Sequence, residues 1–238
     1  MSEALALLSF GDTGWGDEFL RGAWITITLA LAALPLGLVL GLGIALMGRS
    51  ESRLARAVAT LYTTVFRGVP ELLTLYMIAF LLPVAISAAA EAVGYGGRIE
   101  IPNFLAAAVA LGMVVGAFSA EVWAGALNAI AKGQYEAAAA LGLSPRHTFR
   151  HVVFPQLLRV ALPGIGNNWL VLLKDTSLAS VITLQDTMFW ATRGNVTEKE
   201  PILFFLTAAL IYLFFTILSQ LVIEVGERRL NRAYGARR

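Results

Sequence analysis

Charge-free apolar runs alternate with short polar segments along the 238-residue chain. Trp24 to Met47 carries no charged residue, and as a helix it is long enough to cross a hydrocarbon core about 30 Å thick. Leu72 to Ala90 is a second run, entered through a more amphipathic stretch from Leu54 to Phe66. Phe104 to Ala120 is a third, which the pattern carries past Glu121 toward Ile130. Val160 to Leu173 is apolar but short, and Pro163, Gly164 and Gly166 inside it predict a broken or tilted helix. Ile202 to Ile223 is the last and clearest run. The pattern therefore predicts an all-α integral membrane protein of about five transmembrane helices, with the fourth carrying the weakest signal.

Between the third and fourth runs lies a polar island from Gln134 to Pro155. Glu136 is expected to open a short helix that runs through four alanines to Ala140. Gly142 stands where a helix C-terminus favours positive φ. Ser144-Pro145 reads as the N-cap and first residue of a following helix, because serine accepts from orphan backbone N–H groups and proline needs no donor there. A slack connector needs no such punctuation. A loop outside the bilayer holds a fixed shape when another molecule reads it, so this segment, about 133–155, is expected to be a docking element.

Composition excludes a water-soluble globule. The chain is 58% hydrophobic and 14% charged, against about 25% charged in ordinary soluble domains. It has no cysteine, which removes disulfides and thiolate metal sites. The net charge is +2, and the basic balance reflects where arginines sit along the chain; no nucleic-acid partner is expected. Glu3, Asp12, Asp17 and Glu18 precede Arg21, the opposite of a signal-peptide n-region, so the first apolar stretch is expected to be a retained membrane helix.

The bases also suggest an orientation. With the N-terminus outside, the inner segments hold Arg49, Arg53, Arg56, Lys132, Arg146, Arg150, Arg159, Arg228, Arg229, Arg232, Arg237 and Arg238. The outer segments hold only Arg21, Arg98, Arg193 and Lys199. Arg67 and Lys174 fall near span ends. Bases concentrate on cytoplasmic loops, which puts the Glu136 loop and the C-terminus in the cytoplasm. The acidic residues Glu3, Asp12, Asp17, Glu18, Glu91, Glu100, Asp186, Glu198 and Glu200 would lie on the outer side. Within the first span, Gly37 and Gly41 form a small-xxx-small step that lets helix backbones approach, either within the chain or between subunits.

Catalytic candidates fail on inspection. No G-x-x-x-x-G-K-[S/T] segment occurs, so the chain has no phosphate-cradling loop and is not itself an ATPase. His147 and His151 are four apart but lack a third ligand nearby, and Ser177 lacks a histidine base. No enzyme, metal or cofactor is expected.

The island has a recognisable form. Glu136-Ala137-Ala138, three residues, Gly142, nine residues and then Val152-x-Phe154-Pro155 resembles the EAA loop of permease subunits of ATP-binding-cassette importers, EAA-x3-G-x9-I-x-L-P, with Val for Ile and Phe for Leu. Arg67-Gly68-Val69-Pro70-Glu71-Leu72-Leu73, Gly133-Gln134, Phe154 to Arg159, Ala161-Leu162-Pro163, Lys174 to Leu178 and Glu227-Arg228-Arg229 are similar to the polar amino acid permeases of the histidine/glutamine type, including opine carriers. The likeness covers the chain beyond its first twenty or so residues.

The resemblance implies a type I importer permease in the bacterial inner membrane. Its partners would be a dimer of ATPase subunits, a second permease subunit and a periplasmic substrate-binding protein, within a lipid bilayer. It assigns Gln134, Glu136, Ala137, Ala138, Gly142, Ser144, Pro145 and Pro155 to coupling with the ATPase. It places a small amino acid cavity beside the stretch of Asn167, Asn168, Trp169, Asp175 and Thr176, with Arg67 and Gly68 near the path.

Charged groups inside apolar segments are functional suspects in their own right, and seven residues, nearly two helical turns, put Asn168 and Asp175 on one face. Alternatives stay open. Asp175 could cap a helix or pair with Lys174, Arg67-Gly68 and Pro70 could simply break the second span, and Glu121 could pair with a neighbouring helix. Some relatives that bind cationic amino acids have Glu where Asn168 stands; the neutral form resembles subunits whose partner permease supplies the acid. Basic amino acids or opine-like conjugates are the expected substrates. An ion-coupled secondary transporter and a non-transporting membrane scaffold are the rival classes.

Overall fold

The computed structural model describes residues 6–11, 14–94, 96, 97 and 99–233. Glu3, Asp12, Arg98, Arg237 and Arg238, which entered the charge argument, lie outside the described residues. The helices are α1 (Gly16–Gly48), α2 (Arg53–Gly68), α3 (Glu71–Ala92, with a π-turn at Met77–Leu81), α4 (Asn103–Ala129), α5 (Lys132–Ala140), α6 (Pro145–Thr148), α7 (Phe154–Asp175), α8 (Thr187–Glu198) and α9 (Pro201–Ala233). A π-turn, Phe149–Val153, joins α6 to α7, and a 3-10 segment, Thr176–Ile182, leads from α7 toward α8. No strand occurs among the described residues.

Four helices, α1, α3, α4 and α9, are long and apolar enough to cross a membrane. The fourth apolar run of the sequence lies within α7, whose 22 residues span about 33 Å at 1.5 Å per residue. Arg159, Asn167, Asn168 and Lys174 dilute its hydropathy, yet its length suffices for a fifth crossing. The expected break is absent: α7 runs unbroken through Pro163. Its glycines serve approach instead. A Cβ on Gly164 would stand 2.7 Å from Val122 of α4, and one on Gly166 2.9 Å from Ile223 of α9. Packing on both neighbours holds the helix across the one N–H that proline removes. The break falls between α2 and α3, where Val69 is extended (φ −91°, ψ 132°), as a residue before proline is driven to be.

The core is α1 against α4. Leu29, Ala30 and Ala33 of α1 meet Ala107, Ala108, Ala110, Leu111 and Val115 of α4, joined by Leu75 of α3 and by Leu172 and Leu173 of α7. Small side chains make this approach possible in lipid, which offers no hydrophobic drive between helices. A second cluster, with Ala45, Trp123, Leu127 and Leu157, lies toward α5, and Trp123 Nε1 donates to the Leu38 carbonyl at 3.1 Å. The Gly37–Gly41 step is an intrachain contact. A Cβ on Gly41 would meet Ser119 Cβ at 2.7 Å, the Gly116 carbonyl oxygen at 2.8 Å and the Ala120 nitrogen at 2.9 Å. Two of those atoms are backbone and cannot rotate away. Gly41→Ala is therefore expected to destabilise the protein by about 1–3 kcal/mol of overpacking, less up to about 1 kcal/mol gained in helix propensity. A thermal melt of the detergent-solubilised protein, lowered by a few degrees, checks this.

Asp186, one of the acids expected on the outer side of the membrane, is not a solvent-exposed group. It is fully buried as the N-cap of α8, with Oδ1 accepting from the Phe189 N–H at 2.8 Å. Beside it Thr26 Oγ1 and Thr187 Oγ1 lie 2.9 Å apart, and Thr26 Oγ1 also accepts from the Thr187 N–H at 3.2 Å. A carboxylate at a helix start satisfies orphan N–H groups and meets the positive end of the helix dipole. Local bonding, rather than water, decides where this acid sits.

Candidate functional site

The loop helix α5 starts at Lys132, four residues before the expected Glu136, because the chain turns extended at Ile130 and Ala131 and re-enters the helix directly afterwards. Its end follows the sequence. Gly142 has φ +73°, its N–H donates to the Ala139 carbonyl at 2.9 Å, and the Leu143 N–H donates to the Ala138 carbonyl at 3.0 Å. These two bonds define a Schellman cap. Ser144 then caps α6, its Oγ accepting from the His147 N–H at 3.4 Å, with Pro145 in the first turn. Ala138 faces inward at 3% exposure, while Glu136, Ala137, Ala139, Ala140 and Leu141 are exposed, Leu141 to 80%.

A side-chain hydrogen bond links α5 to α7. Gln156 Nε2 donates to Gln134 Oε1 at 3.0 Å and to the Val152 carbonyl at 2.8 Å. Pro155 lies in the first turn of α7, beside the fully buried Val153 and Leu157. His147 and His151 stack with ring centroids 5.6 Å apart, and no group of three metal-ligating side chains occurs among the described residues.

At the other end of α7 a cavity of about 130 Å³ lies between α4 and α7. Val114, Val115 and Phe118 line it from α4; Asn167, Asn168, Val171, Leu172 and Asp175 line it from α7. Asn168 Nδ2 donates to Ser119 Oγ at 3.2 Å, which orients the amide. Asp175 is half-buried, feels the charges of Glu71 and Lys174, makes no side-chain cap for the 3-10 segment and forms no ion pair with Lys174. Asn167 and Val171 are exposed at the rim, so the cavity is open on one side. Arg67 Nη1 binds Glu121 Oε1 at 2.9 Å, and its guanidinium carbon lies 5.6 Å from the Phe118 ring centroid. Arg67 thus borders the cavity through a wall residue, in a cation–π arrangement.

The fold does not bring every expected residue to this cavity. Trp169 projects from another side of α7 into an apolar groove with Leu31, Leu34, Leu218 and Val222; one residue is a 100° turn of the helix, away from Asn168. Thr176 is fully buried and spends its hydroxyl on the Leu173 carbonyl at 2.7 Å. Gly68 ends α2 in open space. What remains is two amides and one carboxylate on apolar walls, without a nucleophile–base pair. Amides and a carboxylate in this arrangement can hydrogen-bond polar groups of a small solute.

Residues 33–232 match the family described as binding-protein-dependent transport system inner membrane component. The chain belongs to this family. It is 39% identical over 228 residues to the octopine transport system permease protein OccQ of Rhizobium meliloti, covering 96% of each chain. It is 38% identical over 216 residues to the histidine/lysine/arginine/ornithine transport system permease protein HisQ of Escherichia coli, covering 91% of this chain and 94% of HisQ. Its fold is similar to a crystal structure of an amino acid ABC transporter with histidines, with TM-score 0.74, 30% identity and coverage of 90% and 95%. This inner membrane permease component has the all-α architecture of type I ABC permeases.

Several residues around this cavity carry no signal in the sequence. Phe118 and Ser119 read as ordinary span residues, and nothing in a single sequence says which face of α4 meets α7. Gln156 sat inside a recognised segment without a role.

Proposed function

We propose that this permease component forms half of the path of an ATP-driven importer for polar amino acids, with basic amino acids or opine-like conjugates as substrates. The observation that carries this reading is mechanical. A single unbroken helix, α7, is pinned at one end to the capped, exposed α5 loop through Gln134–Gln156 and bears Asn168 and Asp175 at the other. The Gln134–Gln156 bond gives movement of α5 by a docked partner a direct route into α7, which continues to the cavity wall.

In this reading the chain has its N-terminus in the periplasm and its C-terminus and α5 in the cytoplasm. A dimer of ATPase subunits holds α5, Glu136 offering a charge to a basic groove and Ala137, Ala139 and Ala140 a flat surface. ATP binding draws the two motors together and opens the path outward; hydrolysis resets it. A periplasmic binding protein delivers the substrate. A second, homologous permease closes the open side of the cavity. The neutral Asn168 favours a heteromeric pair, in which the partner's cavity supplies further negative charge for a cationic solute. The names of the relatives, which carry octopine or histidine, lysine, arginine and ornithine, support the substrate class.

Inverted vesicles are the wrong geometry for an importer, so the test uses proteoliposomes loaded with ATP and supplied with the binding protein outside. Uptake of labelled arginine or octopine is expected only when the ATPase subunit is co-reconstituted and ATP is enclosed. Uptake driven by an ion gradient without the ATPase would establish a secondary transporter instead. No uptake of any polar amino acid, with the ATPase nevertheless bound, would leave a scaffold.

A further inference from the structure

A second concave surface lies away from the polar cavity, on the opposite side of α1. Arg21 and Trp24 of α1, Gln185 before α8, Trp190 of α8 and Phe215 of α9 enclose a groove of about 770 Å³, with Ile27 at its deeper end. Three features give it a direction. Arg21 stands three residues before the charge-free run that begins at Trp24, about 4.5 Å along the helix, which is the depth of the membrane interface. Trp24 is 69% exposed at that depth, where tryptophan rings anchor to headgroups. From there to Ile27 and Phe215 the wall is apolar.

The polar groups at the mouth have one chemical character. Arg21 offers a guanidinium that enters no ion pair with another described residue. Gln185 offers an exposed amide. The Trp190 ring closes one side of the mouth as an apolar wall. No acidic side chain among the described residues lines the groove. Donors gathered around a permanent positive charge, directly above an apolar slot at the membrane interface, match an anionic phosphodiester with an acyl chain attached.

We propose that this groove is a binding site for a phospholipid of the surrounding bilayer. The phosphodiester sits on Arg21 and Gln185, and one acyl chain runs past Trp24 toward Ile27 and Phe215. Guanidinium–phosphate pairing supplies the specificity, and the low dielectric at the interface strengthens it. Such a lipid would wedge between α1, α8 and α9 without entering the substrate cavity, which lies between α4 and α7.

The test uses the assembled importer complex. A photo-crosslinking amino acid at Phe215, irradiated in nanodiscs of phosphatidylglycerol and phosphatidylcholine, is expected to give an adduct with the mass of a phospholipid. In nanodiscs made with a galactosyl diacylglycerol, which has the same acyl chains and no phosphate, the adduct should fall roughly tenfold, the ratio that losing one charge-assisted hydrogen bond sets. Arg21→Ala and Gln185→Leu should each lower the phosphatidylglycerol adduct while uptake and assembly persist. Gln185→Leu keeps roughly the size of the side chain and removes only the amide, so it separates phosphate recognition from packing. An adduct with the second permease subunit would overturn the proposal and assign the groove to a subunit interface. Equal labelling by the phosphate-free lipid, or no dependence on Arg21, would overturn it as well, leaving ordinary boundary lipid.

Discussion

Gly142→Asp is expected to abolish ATP-driven uptake while the permease still inserts in the membrane. At φ +73° glycine carries no steric cost, whereas a residue with a Cβ pays roughly 1–2 kcal/mol there. Aspartate tolerates left-handed geometry better than most residues, so the cap survives in part. Its charge, however, stands beside the exposed face formed by Ala139, Ala140 and Leu141, where a partner's close-packed surface would have to desolvate it. A cost of a few kcal/mol on docking lowers ATPase affinity by roughly 100-fold. Glu136→Lys should give the same phenotype without any backbone strain, since Glu136 is exposed and belongs to the body of α5. The measurement is paired: immunodetection of the variant in membranes, then uptake and ATPase co-purification. Normal uptake in both variants would sink the docking reading, and loss of the membrane protein itself would make the Gly142 defect one of folding.

Asp175→Asn should cut uptake of a cationic substrate roughly tenfold without loss of assembly, the change expected when a charge-assisted hydrogen bond of about 1.5 kcal/mol becomes a neutral one. The substitution keeps shape and volume. Because Asp175 caps nothing with its side chain and forms no ion pair in the fold, its charge is free to act on what enters the cavity. The defect should appear in the substrate concentration for half-maximal uptake, and be weaker for a zwitterionic substrate than for arginine. An unchanged uptake rate would give Asp175 no essential role. Ser119→Ala is a useful companion: it removes the partner that orients Asn168 and leaves every charge in place, so its effect should be the smaller.

Much of the architecture is legible along the chain because lipid reads composition directly. A run such as Trp24–Met47 has only one way to satisfy its backbone in hydrocarbon, so α1, α4 and α9 follow from apolar length. The α5–α6 corner is equally readable: alanines, glycine and Ser-Pro impose a helix, a left-handed stop and a new start through local bonds. Pro163 misled because a proline's local effect depends on its neighbours. Gly164 and Gly166 look like breakers in the sequence, yet in the fold they are where α4 and α9 press closest to α7.

The candidate site was legible as a list and not as a place. Asn168 and Asp175 share a face by helical period alone, and that arrangement holds. Trp169, adjacent in sequence, turns to the opposite groove; Arg67, on a different helix, reaches the cavity wall through Phe118 and finds Glu121. The amino-acid sequence by itself determined the membrane helices and the capped, exposed loop between them, since those features depend on interactions within a few residues or with the solvent. Only the tertiary structure decided which polar groups meet, that Asp186 is buried beside the Thr26–Thr187 contact, and that one continuous helix runs from loop to cavity. Those outcomes depend on how small residues let helices approach, and contacts such as Thr26–Thr187 join positions 161 residues apart that no local pattern connects.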